Sequence, residues 1–266
     1  MKVIENKIAL NLDEDAEIAV QGCIAPIAHT AGNFHKEWDA LANLRAAEPE
    51  KQYAAAVFHD FLPSEAVSVG ECWEIQEAGV QELLEQLHPD ASLEMRVEMY
   101  GLEECKGLRA CLRAYNDHLV HIVFRIHAEF ALEDGWFTPS QFAGHLVIDR
   151  NQKTVVFFQM HVPPGTLNFD VHWETTLEGW DAPRWITDCG YCSQMELWTG
   201  SENILQDTEF TEAITQEEAE RLLIQRFYKS QRINWVSLAE ALEMTQAQQK
   251  PVHVISLDGP LFDEAC

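Results

Sequence analysis

Basic residues are scarce in this chain. It holds 18 Lys and Arg against 44 Asp and Glu, a formal net charge of −26. A surface that acidic is repelled by phosphate backbones and by anionic membranes, so nucleic acid and membrane are excluded as expected partners. No run of about 18 apolar residues occurs, which excludes a membrane-spanning helix from the sequence given. The start, Met1 to Lys7, turns acidic by Asp13 and lacks the basic and apolar regions of a secretory leader. The expected location is therefore the cytosol, with the thiols reduced. The seven cysteines are odd in number and carry no disulfide-framework spacing. Cys23, Cys72, Cys105, Cys111 and Cys192 read most simply as small hydrophobes. Glycine-rich phosphate loops, H-x-H and H-E-x-x-H are missing. Asp13-Glu14-Asp15 lacks the alternating ligands and central glycine of a calcium loop.

What remains is a core-forming chain. Of its 266 residues, 47% are hydrophobic, enough for one large or two modest domains. Lys7 to Leu12 reads as a strand, followed by an irregular stretch. Asn33 is a candidate cap for a helix with Phe34, Trp38, Leu41 and Leu44 on one stripe, ended by Pro49. Gln76 to Leu87 reads as a second helix, stopped at His88-Pro89-Asp90. From Leu93 to Trp173 the period changes to two. Leu108 to Ala114 alternates, Asn116-Asp117 turns, and Leu119 to Leu132 reads as one long strand. Its apolar face is Phe124, Ile126, Ala128 and Phe130, and its polar face is Arg125, His127 and Glu129. Phe142 to Asp149 and Thr154 to Val162 form a hairpin around Arg150 to Lys153, and Thr166 to Trp173 adds a strand. An antiparallel sheet of about five strands results.

Two capping boxes follow. Thr215-Gln216-Glu217-Glu218 opens a helix to about Tyr228, and Ser237 to Glu240 opens another to about Gln249. Lys250-Pro251 then precedes a short apolar strand, Val252 to Leu257, and the turn Asp258-Gly259-Pro260 leads to Cys266. A capped helix, a strand and then a cysteine is how a thioredoxin fold approaches its redox motif. The expected class is α+β: an antiparallel-sheet domain over residues 1–229, then the start of a thioredoxin-like unit over 230–266.

Two cysteine sites compete for chemistry. Cys266 is one. The other is Cys189-Gly190-Tyr191-Cys192, a C-x-x-C pair that lacks the preceding strand and following helix of a redox motif. Among the histidines, His121 and His127 would share a strand face about 20 Å apart, too far for one ion. With His118 and His145 they give no expected metal site. Arg125, His127 and Glu129 read as a cross-strand polar network.

Four blocks, in order, resemble selenoprotein N. Phe124-Arg125-Ile126-His127-Ala128-Glu129-Phe130 is similar to that family's Phe-Arg-Ile-His-Ala-Glu-Phe. Trp136 to His145 resembles its Trp-Phe-Ser-Pro-Ala-Gln-Phe-Thr-Gly-His. Gly190-Tyr191 and Gln194-Met195-Glu196-Leu197 resemble its Gly-Tyr-x-x-Gln-Met-Glu-Leu. The tail Lys250 to Cys266 is similar to the family segment that leads into cysteine, selenocysteine and glycine. The resemblance implies a thiol or selenol–disulfide oxidoreductase acting on protein thiols, disulfides or peroxide. Cys266 would be its catalytic thiol, with a selenocysteine expected at the following position and no other cofactor. It implies a chain cut at the UGA codon and inactive as it stands. The family pattern has no cysteines at Cys189 and Cys192. The membrane segment and EF-hand of animal members do not carry over. The competing class is a non-enzymatic protein whose sheet presents a partner surface.

Overall fold

The structure is a computed structural model that describes residues 7–13, 15–93, 107–175, 184–227, 235–249 and 251–254. The chain opens with β1 (Glu17–Ile24), β2 (His29–Thr30), α1 (Phe34–Glu37), α2 (Asp39–Ala42) and β3 (Glu50–Ala54). Next come α3 (Ala56–His59), β4 (Cys72–Glu74), α4 (Glu77–Leu87) and β5 (Ala91–Ser92). The long β region holds β6 (Leu108–Tyr115), β7 (Leu119–Ile126), β8 (Glu129–Leu132), β9 (Gly135–Pro139), β10 (Phe142–Asp149), β11 (Thr154–His161), β12 (Phe169–Thr175), β13 (Arg184–Tyr191) and β14 (Met195–Gly200). The last elements are α5 (Asn203–Asp207), β15 (Glu212–Ala213), α6 (Gln216–Phe227) and α7 (Leu238–Gln248).

Among the described residues the strands form two antiparallel sheets rather than one of five strands. A nine-stranded sheet runs β15-β6-β7-β10-β11-β14-β1-β3, with β4 also on β6, and a six-stranded sheet runs β2-β13-β12-β9-β8-β5. The class is α+β with mostly antiparallel sheets. One buried apolar cluster takes side chains from both sheets, including Phe124 and Phe158 from the larger and Phe130, Phe137 and Phe169 from the smaller. Phe61 from the turn after α3 meets Phe124 at 4.9 Å between ring centroids, edge to face.

The hairpin β10–β11 forms as its turn chemistry dictates. Asp149 Oδ1 accepts from Asn151 N (2.8 Å) and Gln152 N (2.9 Å), and Lys153 takes the left-handed φ of 56° that closes the turn. α4 is the expected amphipathic helix, with Val80, Leu83, Leu84 and Leu87 fully buried. Both capping boxes close, Thr215 with Glu218 and Ser237 with Glu240.

Several further expectations are corrected. Lys7 to Leu12 is not a strand; it offers only the bridge Ile8↔Val67. The first strand is β1, in the stretch read as irregular, where Ile18, Val20, Gly22 and Ile24 face inward while small or polar residues face out. The helix after Asn33 is two short pieces. Asn33 sits at φ 67° with no side-chain cap. The amides of Gly32 (2.7 Å) and Phe34 (3.2 Å) donate instead to the Asp188 carboxylate of β13, a partner remote in sequence.

The strand expected from Leu119 to Leu132 breaks at His127-Ala128. Ile126 pairs with Phe142 in the larger sheet, while Phe130 pairs with Phe137 in the smaller. At the break, His127 N donates to Gly107 O (3.1 Å), and its ring lies where a Cβ on Gly107 would come within 2.6 Å. In the tail, Val252 to Val254 form no strand, and Val254 is 70% exposed. The helix expected to open at Ser237 is α7, with Leu238 and Leu242 exposed. Cys105, Cys266 and residues 255–265 lie outside the described residues.

Candidate functional site

The C-x-x-C cysteines do not meet. Cys189 sits in β13, directly opposite Asp170 of β12. Cys192 follows the strand and belongs to the apolar core, so an extended backbone separates the two by about 10 Å. Cys192 is locked in place. Its N donates to Asn168 Oδ1, and Asn168 Nδ2 donates to its carbonyl, both at 2.8 Å. Its Sγ donates to Gln194 O (3.2 Å). Burial pushes the Cys192 thiol up, away from thiolate chemistry.

The break after Ile126 also splits the expected polar face. Arg125 lies opposite Arg109 and Ala143 on the outer face of the larger sheet. His127 is buried in the crossover, where loss of solvent, then the Arg125 charge, lowers its pKa to about 3. Glu129 belongs to the smaller sheet, where Thr138 Oγ1 donates to its Oε2 (3.4 Å). Thr138 in turn lies opposite Asp170. Burial raises the Asp170 carboxyl to about 7 against the Thr138 hydrogen bond, with the Glu129 charge adding to the rise. Asp170 Oδ1 is buried without a hydrogen-bond partner, and Oδ2 lies 4.0 Å from His172 Nε2.

On the outer face of the larger sheet, register assembles a diagonal of titratable groups across five strands. Arg113 on β6, His121 on β7, His145 on β10, His161 on β11 and Glu196 on β14 lie in sequence. His121 is opposite Val147 and His145 opposite Val123, so the two histidines are diagonal neighbours; His161 is opposite Ala143 and Glu196. Arg113 Nη1 lies 3.2 Å from His121 Nδ1, and His121 Nε2 lies 3.0 Å from His145 Nδ1. A guanidinium only donates. His121 Nδ1 must therefore accept, its proton sits on Nε2, and that proton is donated to His145 Nδ1. His145 then carries its own proton on Nε2. Phe210 stacks on His121 at 6.1 Å and Phe157 on His145 at 6.5 Å.

Both imidazoles are held neutral. Burial lowers His121 well below its usual value, helped by His145 and the Arg113 charge, and lowers His145 to about 4, helped by His161 and Arg113. Burial lowers His161 too, outweighing the attraction of Glu196, Glu220 and Glu202. The His161 Nδ1 is buried without a hydrogen-bond partner. A metal on His145 Nε2 would force the opposite tautomer and turn His121 Nδ1–H against Arg113. Among the described residues no group of three His, Cys, Asp or Glu is placed to hold a metal. His118 is elsewhere, bonded to Asn151 at 2.8 Å in the turn region.

Sequence reasoning had singled out His121 and His145 but not their contact. The β10–β11 turn fixes which residues oppose each other, and that register is the signal that brings His161 beside them. Arg113 and Asp170 carried no sequence signal beyond being polar residues in alternating strands.

The chain is thus an α+β protein of two antiparallel sheets with a neutral imidazole line on one outer face. It is similar to curated selenoprotein N proteins. It is 28% identical over 296 residues to selenoprotein N of Danio rerio, covering 90% of this chain and 51% of that protein. It is 27% identical over 286 residues to selenoprotein N of Mus musculus and of Homo sapiens, in each case over 85% of this chain and 50% and 47% of those proteins. These matches support a selenoprotein N family relationship. The chain spans about half the length of the curated relatives it matches. No family model and no solved structure matches it. No helix among the described residues is long and apolar enough to cross a membrane.

Proposed function

We propose that the chain acts in thiol or selenol–disulfide exchange as an oxidoreductase of the selenoprotein N type, serving redox homeostasis in the cytosol. Cys266 is the reacting thiol in this reading, beside a selenocysteine. Protein thiols, disulfides or peroxide are the substrates. The observation that carries it is the relationship to selenoprotein N along nine-tenths of the chain. The selenocysteine follows from the resemblance of the tail, not from where the sequence given stops. Exchange moves a proton at each step, off the attacking chalcogen and onto the leaving one.

The test uses the whole gene product, with selenium sought by mass spectrometry. Reduction of insulin disulfides should fall to background in Cys266→Ser. Wild-type rates in Cys266→Ser would overturn the reading. A second reading, a partner-binding protein without catalysis, is favoured by the exposed Trp235, Val236, Leu238, Leu242 and Met244 around α7. No exchange activity in a selenium-containing product would favour it.

A further inference from the structure

Strand β4 lies against β6 with Cys72 opposite Cys111, Trp73 opposite Ala110 and Glu74 opposite Arg109. Backbone hydrogen bonds fix which of these positions are close. Leu112 N donates to Glu71 O (3.1 Å) and Ile75 N to Leu108 O (3.2 Å). Hydrogen-bonded and non-bonded positions alternate along an antiparallel pair. With bonds at Glu71–Leu112 and Ile75–Leu108, Cys72–Cys111 is a non-bonded position. There the Cα atoms approach to about 4.5 Å and the side chains stand nearest each other. A disulfide spans Cα separations of roughly 4.4–6.8 Å.

The two thiols also share a roof. Cys111 is fully buried with Val123, Ala219 and Leu223, and Cys72 packs at the margin of that cluster with Ile214 and Leu222. Cys72 is half-buried. Both sulfurs point at backbone carbonyls, Cys72 Sγ at Gly70 O (3.9 Å) and Cys111 Sγ at Leu112 O (3.8 Å). β4 is three residues long and pairs with β6.

We infer that Cys72 and Cys111 form a two-electron thiol–disulfide couple, oxidised by small-molecule disulfides of the glutathione type. This couple is independent of Cys266 and of the function proposed above. The Cys72 sulfur, as thiolate, attacks the small disulfide RSSR. A Cys72–S–SR bond forms and one RS⁻ leaves. Cys111, as thiolate, then attacks the Cys72 sulfur; the Cys72–Cys111 bond forms and the second RS⁻ leaves. The two thiol protons end on the two RS⁻ groups. RSSR is reduced by two electrons to 2 RSH, and the dithiol is oxidised by the same two. Order follows from burial: Cys72 meets the reagent, and Cys111 meets only Cys72. The product staples β4 to β6.

The native chain is equilibrated across a series of reduced and oxidised glutathione, quenched in acid, alkylated, digested and analysed by mass spectrometry. A peptide pair joined through Cys72 and Cys111, two hydrogens lighter than the dithiol and restored by dithiothreitol, is expected. In Cys111→Ala, Cys72 should stop as its glutathione mixed disulfide. In Cys72→Ser, Cys111 should remain an unlinked thiol. Three results would overturn the inference: no joined pair at the highest oxidised glutathione, a joined pair only in urea, or Cys72 in the unmutated chain halting as the mixed disulfide. The unmutated chain decides alone if a variant fails to fold.

Discussion

Asp170 and His145 are titratable side chains turned in opposite directions by the same cause. Burial disfavours the charged form, so it raises the acid to about 7 and lowers the base to about 4. Unfolded, they titrate near 3.8 and 6.5. Between pH 3.8 and 7 the folded state therefore holds more protons at Asp170 than the unfolded state, and stability falls as pH rises. Between pH 6.5 and 4 the unfolded state takes up a proton that His145 refuses, and stability falls as pH drops. The effect is on the order of 4 kcal/mol at most for Asp170 and 3 kcal/mol at most for His145. In the unmutated chain they oppose each other over their shared range. Asp170→Asn should leave a stability that climbs steeply from pH 4 to 6.5, and His145→Phe one that declines from pH 4 to 7. Urea unfolding of both variants at pH 4.5, 5.5 and 7 checks this; parallel curves for the two would refute it. Neither group could be ranked from sequence. Each is one polar residue in an alternating strand, and its burial is set by neighbours that only the sheet register supplies.

Elements were legible where local chemistry decides them. The capped helices α6 and α7, the amphipathic α4 and the hairpin β10–β11 all carry their start, stop or turn residues within a few positions of sequence. The strand break at His127-Ala128 does not, because the apolar alternation Phe124, Ile126, Ala128, Phe130 runs straight through it. Only the docking of Gly107 against the His127 ring marks the point where one sheet hands over to the other. β1 was hidden differently, since its outward residues are small and blur the alternation. α6 also shows what a correctly read helix does once folded. It covers the outer face of β6 and β7 through Ala219 and Leu223, which are 0% and 1% exposed. Leu223→Ala should cost about 2–4 kcal/mol, as truncation of a buried leucine does when the site cannot collapse. Thermal unfolding checks it, and a shift under one degree would mean that α6 is dispensable to the sheet.

For the whole molecule, charge and topology matter most. A formal charge of −26 repels itself across the surface. Raising sodium chloride from about 10 mM to about 150 mM shortens the screening length from ~30 Å to ~8 Å. The melting temperature should rise by several degrees, followed by circular dichroism at fixed pH; a flat response would show the acidic groups to be well dispersed. The acidic excess was plain in the sequence, and so were the α+β class and the resemblance to selenoprotein N. The second sheet was not, because Ile24 to His29, Ile126 to Glu129, Pro139 to Phe142 and Tyr191 to Met195 each carry the chain from one sheet to the other.

The pairing of β1 with β14, Gln21 opposite Trp198, has a consequence in time. On the ribosome β1 emerges early and can pair at once with β3, where Glu17 meets Ala54. Its other edge stays open until residue 198 has been made. At about 5–20 residues per second that wait lasts roughly ten to forty seconds. Through it, an open strand edge is exposed to other nascent chains. Production of this protein should accordingly depend on chaperone supply and on slow translation more than its final stability suggests.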